Sequence, residues 1–358
     1  MSLPVGGIAA SHALEDGVRF LLAKQGGDGL WRDFLTPAGE ASEWPTGFVA
    51  AALQVARADA GALARTADRL VAAQHDDGGW GYNAYVPSDA DSTACVLLFL
   101  ALAGRGASAW QRAASCLVRH QRRADGGIAT YAAAGAIRRF MGVGRWMRFD
   151  GWCSPQTEVT ATAGRALAAL ARESSSPEAT AAWRFTRSRQ CDDGSWGSYW
   201  WTSPHYATLQ AVELALAYGE PDVARRAAAW ALRTQAGDGM WSAAGAERSA
   251  FATALALSVL LAAEERGRPV ERGVSRLVAL QDEDGGWPSH PILRIPLPGD
   301  TNPDRQRRRR LRRLARGLVV RDQHRTFTSA ACVAALARAR EASASVHAAG
   351  LTASGAEY

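Results

Sequence analysis

The sequence predicts an all-α fold, a single (α/α)6 barrel of six helical hairpins formed by residues 1–358. Three observations carry this expectation. A unit Gln-x-x-Asp-Gly-x-Trp recurs along the whole chain, and units repeated at a fixed period share one continuous core. Ala and Leu dominate between the glycines, while Val-Ile-Thr runs of period two are scarce, so helix is the default element. The stretches flanking each repeat read as two kinds of helix, one with a polar face and one apolar all round.

Five copies of the repeat are intact: Gln25–Trp31, Gln74–Trp80, Gln190–Trp196, Gln235–Trp241 and Gln281–Trp287. A sixth, Gln121–Ile128, has one extra residue and Ile in place of Trp. Successive copies start 49, 47, 69, 45 and 46 residues apart, and the long interval marks an insertion at about 132–152. A second insertion occupies about 289–325. Asp-Gly within the unit is a turn signal, because Gly accepts positive φ after a helix. The helix before each unit carries a polar face, as in Arg65–Val71. The helix after it opens with a capping cluster: Glu43–Thr46, Pro87–Thr93, Ser154–Thr160, Ser203–Thr208, Glu247–Thr253 and Thr326–Ser329. Those helices continue apolar, as in Ala94–Ala103, and belong inside. Six inner helices would then start at one end of the barrel, and any pocket belongs at that mouth. The Gln and Trp of each unit read as ties between hairpins.

Composition narrows the function. The net charge of +6 is local: residues 305–325 hold ten arginines and one acid, leaving 31 basic and 34 acidic residues elsewhere. No nucleic-acid binding is implied. The N-terminus lacks a charged segment followed by an apolar one, and the longest apolar run, Ala252–Ala263, is too short to span a bilayer. Five cysteines without C-x-x-C spacing read as reduced thiols of a cytoplasmic protein.

The repeat resembles the QW motif of squalene–hopene cyclases, oxidosqualene cyclases and their relatives, and more distantly the β subunits of protein prenyltransferases. The resemblance covers the whole chain. Within it, Asp89-Ala-Asp91-Ser-Thr-Ala94 resembles the Asp-x-Asp-Asp-Thr-Ala motif of class II terpenoid cyclases. That implies Asp91 as the acid that protonates an alkene and Asp89 as its partner, with Ser92 where the family has a third aspartate. Protonating a carbon–carbon double bond needs a carboxyl that keeps its proton at neutral pH, which burial and a like-charged neighbour provide. The same residues also read as a plain helix N-cap supported by Thr93.

A cyclising cation is stabilised by aromatic faces that cannot trap it. Trp44, Phe48, Tyr85, Trp152, Tyr199, Trp200, Trp201, Tyr206, Phe251 and Phe327 are the candidates for a substrate-binding wall. Glu158 and His205, with Glu43 and Glu247, are candidates to position a polar group or take the final proton; each also reads as a core or capping residue. The function implied is a protonation-initiated terpenoid cyclase acting on a linear isoprenoid or prenyl diphosphate. No metal is needed for protonation, though magnesium (Mg2+) would help to hold a diphosphate. Two alternatives stand beside it, a non-catalytic isoprenoid-binding or scaffold subunit and a zinc prenyltransferase-like enzyme. Against zinc, there is no Asp-x-Cys pair.

A lone barrel must close its mouth against water with its insertions, 132–151 and 290–325, or with a partner subunit. Arg307–Val320 reads as an amphipathic helix with Leu311, Leu314 and Leu318 on one face. It is a candidate for peripheral membrane contact, for a diphosphate clamp together with Arg294 or Arg305, or for a solvated insertion.

Overall fold

The computed structural model describes residues 5–170, 176–243, 248–304 and 317–354. Its helices run α1 (Val5–Ala23), α2 (Glu43–Val55), α3 (Ala60–Ala72), α4 (Ala90–Leu102), α5 (Ala107–His120), α6 (Ala134–Phe140), α7 (Thr157–Leu170), α8 (Pro177–Arg187), α9 (His205–Ala217), α10 (Pro221–Thr234), α11 (Ala250–Ala262), α12 (Arg268–Ala279) and α13 (Thr326–Ser354). The inner ring is closed: α2 packs on α4, then α7, α9, α11 and α13 follow, and α13 packs back on α2. Outer helices α3, α5, α8, α10 and α12 each lie in the crevice between two successive inner helices, and α1 lies against α13. Composition explains the two layers. Every residue from Ala250 to Leu261 of α11 is buried, whereas α12 buries only Val270, Gly273 and Leu277, one stripe of its surface.

The Gln–Trp units tie this ring together through bonds repeated around it. Each Gln carboxamide donates twice, once within its own loop and once to the next outer helix. Gln74 reaches Gly78 O and Ala109 O, and Gln235 reaches Gly239 O and Pro269 O. Gln281 donates to Ala13 O of α1 at 2.8 Å, which closes the circle. Each Trp indole donates to the carbonyl ten residues back on its own outer helix, as Trp241 does to Ala231 O at 2.7 Å. The backbone N–H at the Trp position donates to a hydroxyl on the following inner segment: Thr46, Thr93, Thr160, Thr208, Thr253 and Ser329. The degenerate unit keeps this last bond through Ile128 and lacks only the indole bond.

The helical layers are supplemented by two small antiparallel hairpins at the mouth, β1 (Asp33–Thr36) with β2 (Gly39–Ala41) and β3 (Pro291–Ile295) with β4 (Leu318–Arg321). The second hairpin corrects one expectation. Of the helix anticipated over Arg307–Val320, residues 307–316 lie outside the described residues, and Leu318 is in strand β4, where the Val319-Val320 pair joins β3. Among the described residues no helix is long and apolar enough to cross a membrane.

Glycine of the Asp-Gly turn has positive φ in all six units, from 78° to 93°. In the last unit a Cβ on Gly285 would also meet Asp16 O of α1 at 2.6 Å, whereas one on Gly29 would meet nothing within 4 Å. Gly29→Ala should therefore cost only the backbone strain, about 1–2 kcal/mol. Gly285→Ala should cost clearly more, on the order of 3 kcal/mol, because it also wedges the ring closure. Urea midpoints of the two variants check this; equal losses would show that the close approach carries no energy.

Candidate active site

A cavity of about 540 Å³ opens at the end of the ring where the inner helices begin. Trp44 of α2 and Asp89, Asp91 and Ser92 around the start of α4 contribute to it, together with Tyr82, Thr130, Tyr131 and Trp200 from the loops. The first insertion adds Ile137, Phe140, Met141 and Trp152, and the second adds Leu293, Ile295–Pro298, Gly317 and Leu318. The two insertions are pinned together: Trp152 Nε1 donates to Pro296 O at 3.0 Å, and Gly151 N to Pro298 O at 2.9 Å. The insertions thus wall the cavity, one of the two closures that the sequence left open.

The two aspartates divide the roles that the sequence left open between them. Asp89 is the N-cap of α4, accepting from Ser92 N at 2.8 Å and from Ser92 Oγ at 2.7 Å. Its own N–H donates to Trp80 O and the next one, Ala90 N, to Thr130 O, so the acid segment is fixed between two repeat loops. Burial raises the Asp89 pKa to about 6, against the pull of the Ser92 bonds. Ser92, the departure from the motif, is thus a donor to Asp89. Asp91 takes no part in capping. It is buried, its Oδ1 has no hydrogen-bond partner, and burial, then the charges of Asp89 and Glu158, push its pKa well above the ordinary range. Asp91 is thereby biased toward its protonated form, on the wall of a largely apolar cavity. The first-turn N–H groups of α4 act in the opposite sense, favouring its ionised form.

The other candidates fall into three groups. Trp44, Trp152 and Trp200 stand on the cavity wall. Trp201, Tyr206, Phe251 and Phe327, with Phe48, form a close-packed aromatic core beside Trp44, with Trp201 and Tyr206 rings 4.2 Å apart and Trp44 and Phe327 5.1 Å apart; they do not line the cavity. The rest are off the wall. Tyr85 is 86% exposed, because Asn83 caps a turn that throws it outward. Tyr199 donates from its hydroxyl to Asp300 O at 2.7 Å. His205 is buried 5.0 Å from the Trp230 ring, and burial lowers its pKa to about 3, which keeps it neutral. The Glu158 carboxylate turns to the peptide N–H groups of Tyr199 and Trp200. Glu43 bonds the Ser42 hydroxyl, and Glu247 lies outside the described residues.

Arg294, read as a diphosphate clamp, is spent on the carbonyls of Tyr199 and Ser198 and on Asp304. Arg305 is outside the described residues. Among the described residues no three His, Cys, Asp or Glu side chains converge as a metal site. Sequence reasoning missed Tyr82, Tyr131 and the apolar insertion residues. Tyr82 follows a repeat by two positions, a spacing that could have singled it out; the insertion residues have no periodicity to read.

The raised pKa of Asp91 has a stability consequence. Because folded Asp91 keeps its proton above the range of the unfolded chain, folding takes up a proton, and its contribution to stability falls as pH rises from the ordinary aspartate range through the raised value. Asp91→Asn removes that loss. The variant should be more stable than the parent at pH 8, with the difference shrinking toward pH 4, in urea unfolding at both pH values.

The squalene–hopene cyclase C-terminal domain family matches residues 82–299. A drimenyl diphosphate synthase of Streptomyces showdoensis is 33% identical over 248 residues, 65% of this chain and 42% of that protein. A labda-7,13-dienyl diphosphate synthase of Streptomyces clavuligerus is 36% identical over 110 residues, 30% of this chain and 20% of that protein. The matched stretches thus cover less than half the length of these curated relatives. Among solved structures, a variant of the type II terpene cyclase MstE from Scytonema in complex with geranylgeranyl dihydroxybenzoate superposes with a TM-score of 0.85 at 28% identity, over 94% of this chain and 99% of that one. With the family match spanning more than half of its length, the chain belongs to the squalene–hopene cyclase C-terminal domain family.

Proposed function

We propose that the protein is a protonation-initiated, class II-type terpene cyclase acting on a linear isoprenoid or its diphosphate. One observation carries this reading: Asp91 is a buried carboxyl whose Oδ1 has no hydrogen-bond partner and whose pKa is pushed well above the ordinary range, on the wall of a largely apolar cavity with indole and phenol rings beside it. In the reaction, the Asp91 proton passes to the terminal alkene carbon and leaves a tertiary cation. The next double bond attacks that cation and carries the charge inward. Trp44, Trp152, Trp200, Tyr82 and Tyr131 offer ring faces to the moving charge, and loss of a proton to water or a base ends the sequence.

We take the chain to be of the C15 to C20 class. The names of the two relatives and the geranylgeranyl group in the MstE complex support the same range. Magnesium enters this proposal only to hold a diphosphate head group.

With farnesyl diphosphate, geranylgeranyl diphosphate and squalene as substrates, Asp91→Asn should lose at least about 10³-fold in turnover while keeping its fold, because an amide cannot supply the proton. Asp89→Asn should lose less. Full activity of Asp91→Asn would end the proposal; ligand binding without turnover by the parent would favour the binding-subunit reading.

The same reading makes the enzyme cytoplasmic and peripheral to a membrane. Phe140, Met141, Leu297 and Leu318 both line the cavity and are 37–49% exposed, so the mouth has an apolar rim, and Leu318 follows the arginine-rich stretch in sequence. Co-sedimentation with phosphatidylserine-containing liposomes should fall in salt and in a Phe140→Ser, Leu297→Ser double variant. Binding that ignores both changes would remove the membrane from the proposal.

A further inference from the structure

Three successive aromatic residues in one segment face three directions: Trp200 lines the cavity, Trp201 enters the aromatic core and Tyr199 reaches Asp300. Something must hold the backbone in this splayed arrangement, and a single side chain does so. Glu158, fully buried in the first turn of α7, accepts with one oxygen from both Tyr199 N (2.6 Å) and Trp200 N (2.7 Å). The indole end of Trp200 is fixed separately, by donation from Nε1 to Thr130 Oγ1 at 2.8 Å. Thr130 is tied in turn to Gln156, two residues before Glu158, and its carbonyl accepts from Ala90 N at the start of the acid helix. The Trp200 ring is thus clamped at its backbone from α7 and at its nitrogen from the loop that also holds the acid segment.

We infer that Glu158 is a positioning residue that sets the Trp200 face of the cavity relative to Asp91, and so controls how far cyclisation proceeds before the cation is lost. The inference rests on the cyclase reading of the cavity for its chemical consequence, but not for the clamp itself. Glu158 does not line the cavity. Its charge also helps to raise Asp91, an effect read in the turnover rate, whereas its acceptor geometry sets the Trp200 ring and is read in the Trp200 resonance and the product pattern. A carboxylate acceptor for two adjacent buried N–H groups is worth more than either bond alone, because both would otherwise be unsatisfied. A shift of the ring by about 1 Å exposes the developing cation to a different neighbour and changes its fate.

Two conservative substitutions divide the roles. Glu158→Gln keeps an oxygen at the same reach and removes the charge. Glu158→Asp keeps the charge and withdraws the oxygen by roughly 1.5 Å, one carbon–carbon bond. Each full-length variant is labelled with 5-fluorotryptophan, and the Trp200 resonance is assigned by its absence from Trp200→Phe. Glu158→Gln should keep the parental Trp200 shift and the parental product pattern from geranylgeranyl and farnesyl diphosphate. Glu158→Asp should move or broaden that resonance, lower kcat/KM by on the order of ten- to hundredfold, and enrich products quenched after fewer ring closures. The reverse order, equal effects in both variants, or a parental resonance in both would overturn the inference. If the parent turns over none of the substrates, the cyclase reading fails, while the fluorine resonances still decide whether Glu158 clamps Trp200.

Discussion

The structure depends on a glutamine carboxamide that bonds in two directions. One hydrogen bond goes to its own turn and the other to the neighbouring hairpin, six times around, with Gln281 returning to α1. A helical hairpin alone cannot bury its apolar helix; six of them can, provided the last meets the first. The carboxamide supplies the lateral tie, the indole fastens each loop to its outer helix, and a threonine or serine hydroxyl fastens it to the inner one. As a result every inner helix starts at one level, at one end of the ring. The acid motif, a helix start, is brought to the mouth by the same bonds that close the barrel.

The two ends of the inner ring are built differently. At the mouth, aromatic rings and apolar insertion residues surround two carboxyls that no cation among the described residues contacts directly. Toward the later turns of the inner helices, Glu213 of α9 is held by Arg165 of α7 and Arg338 of α13. Burial would raise Glu213, but the two arginines keep it below its ordinary range. Carboxyl groups therefore behave differently at the two ends: Glu213, paired with cations, is held toward its ionised form and cross-links three helices, whereas Asp91, without such a pair among the described residues, is pushed toward its protonated form.

The mouth is also a junction of distant sequence. Asp33, the first residue of β1 after the first repeat, accepts from Thr326 N at 2.9 Å and caps α13, nearly three hundred residues away. Asp322 accepts from Thr328 N at 2.9 Å and from His290 N, drawing the second insertion onto the same helix start. Burial raises both carboxyls, and the Asp33 charge adds to the effect on Asp322, which reaches about 7. They belong to ring closure, and the insertion they anchor supplies part of the cavity wall.

The sequence by itself determined the period, the two helix types, the common mouth and the acid motif, because each depends on local spacing, composition and turn chemistry. The wall was legible only in part. Trp44, Trp152 and Trp200 are on it, but Trp201, Tyr206, Phe251 and Phe327 are core, and Tyr85 is in solvent. An aromatic at a helix start carries no mark of which way its ring turns; packing across the ring decides that. Glu158 makes the same point, since the residues it bonds lie 41 and 42 positions away. The raised pKa of Asp91 was also a tertiary outcome. Two aspartates at i and i+2 can both be caps, and only the folded structure, which makes Asp89 the cap and leaves Asp91 Oδ1 buried without a partner, separates the two.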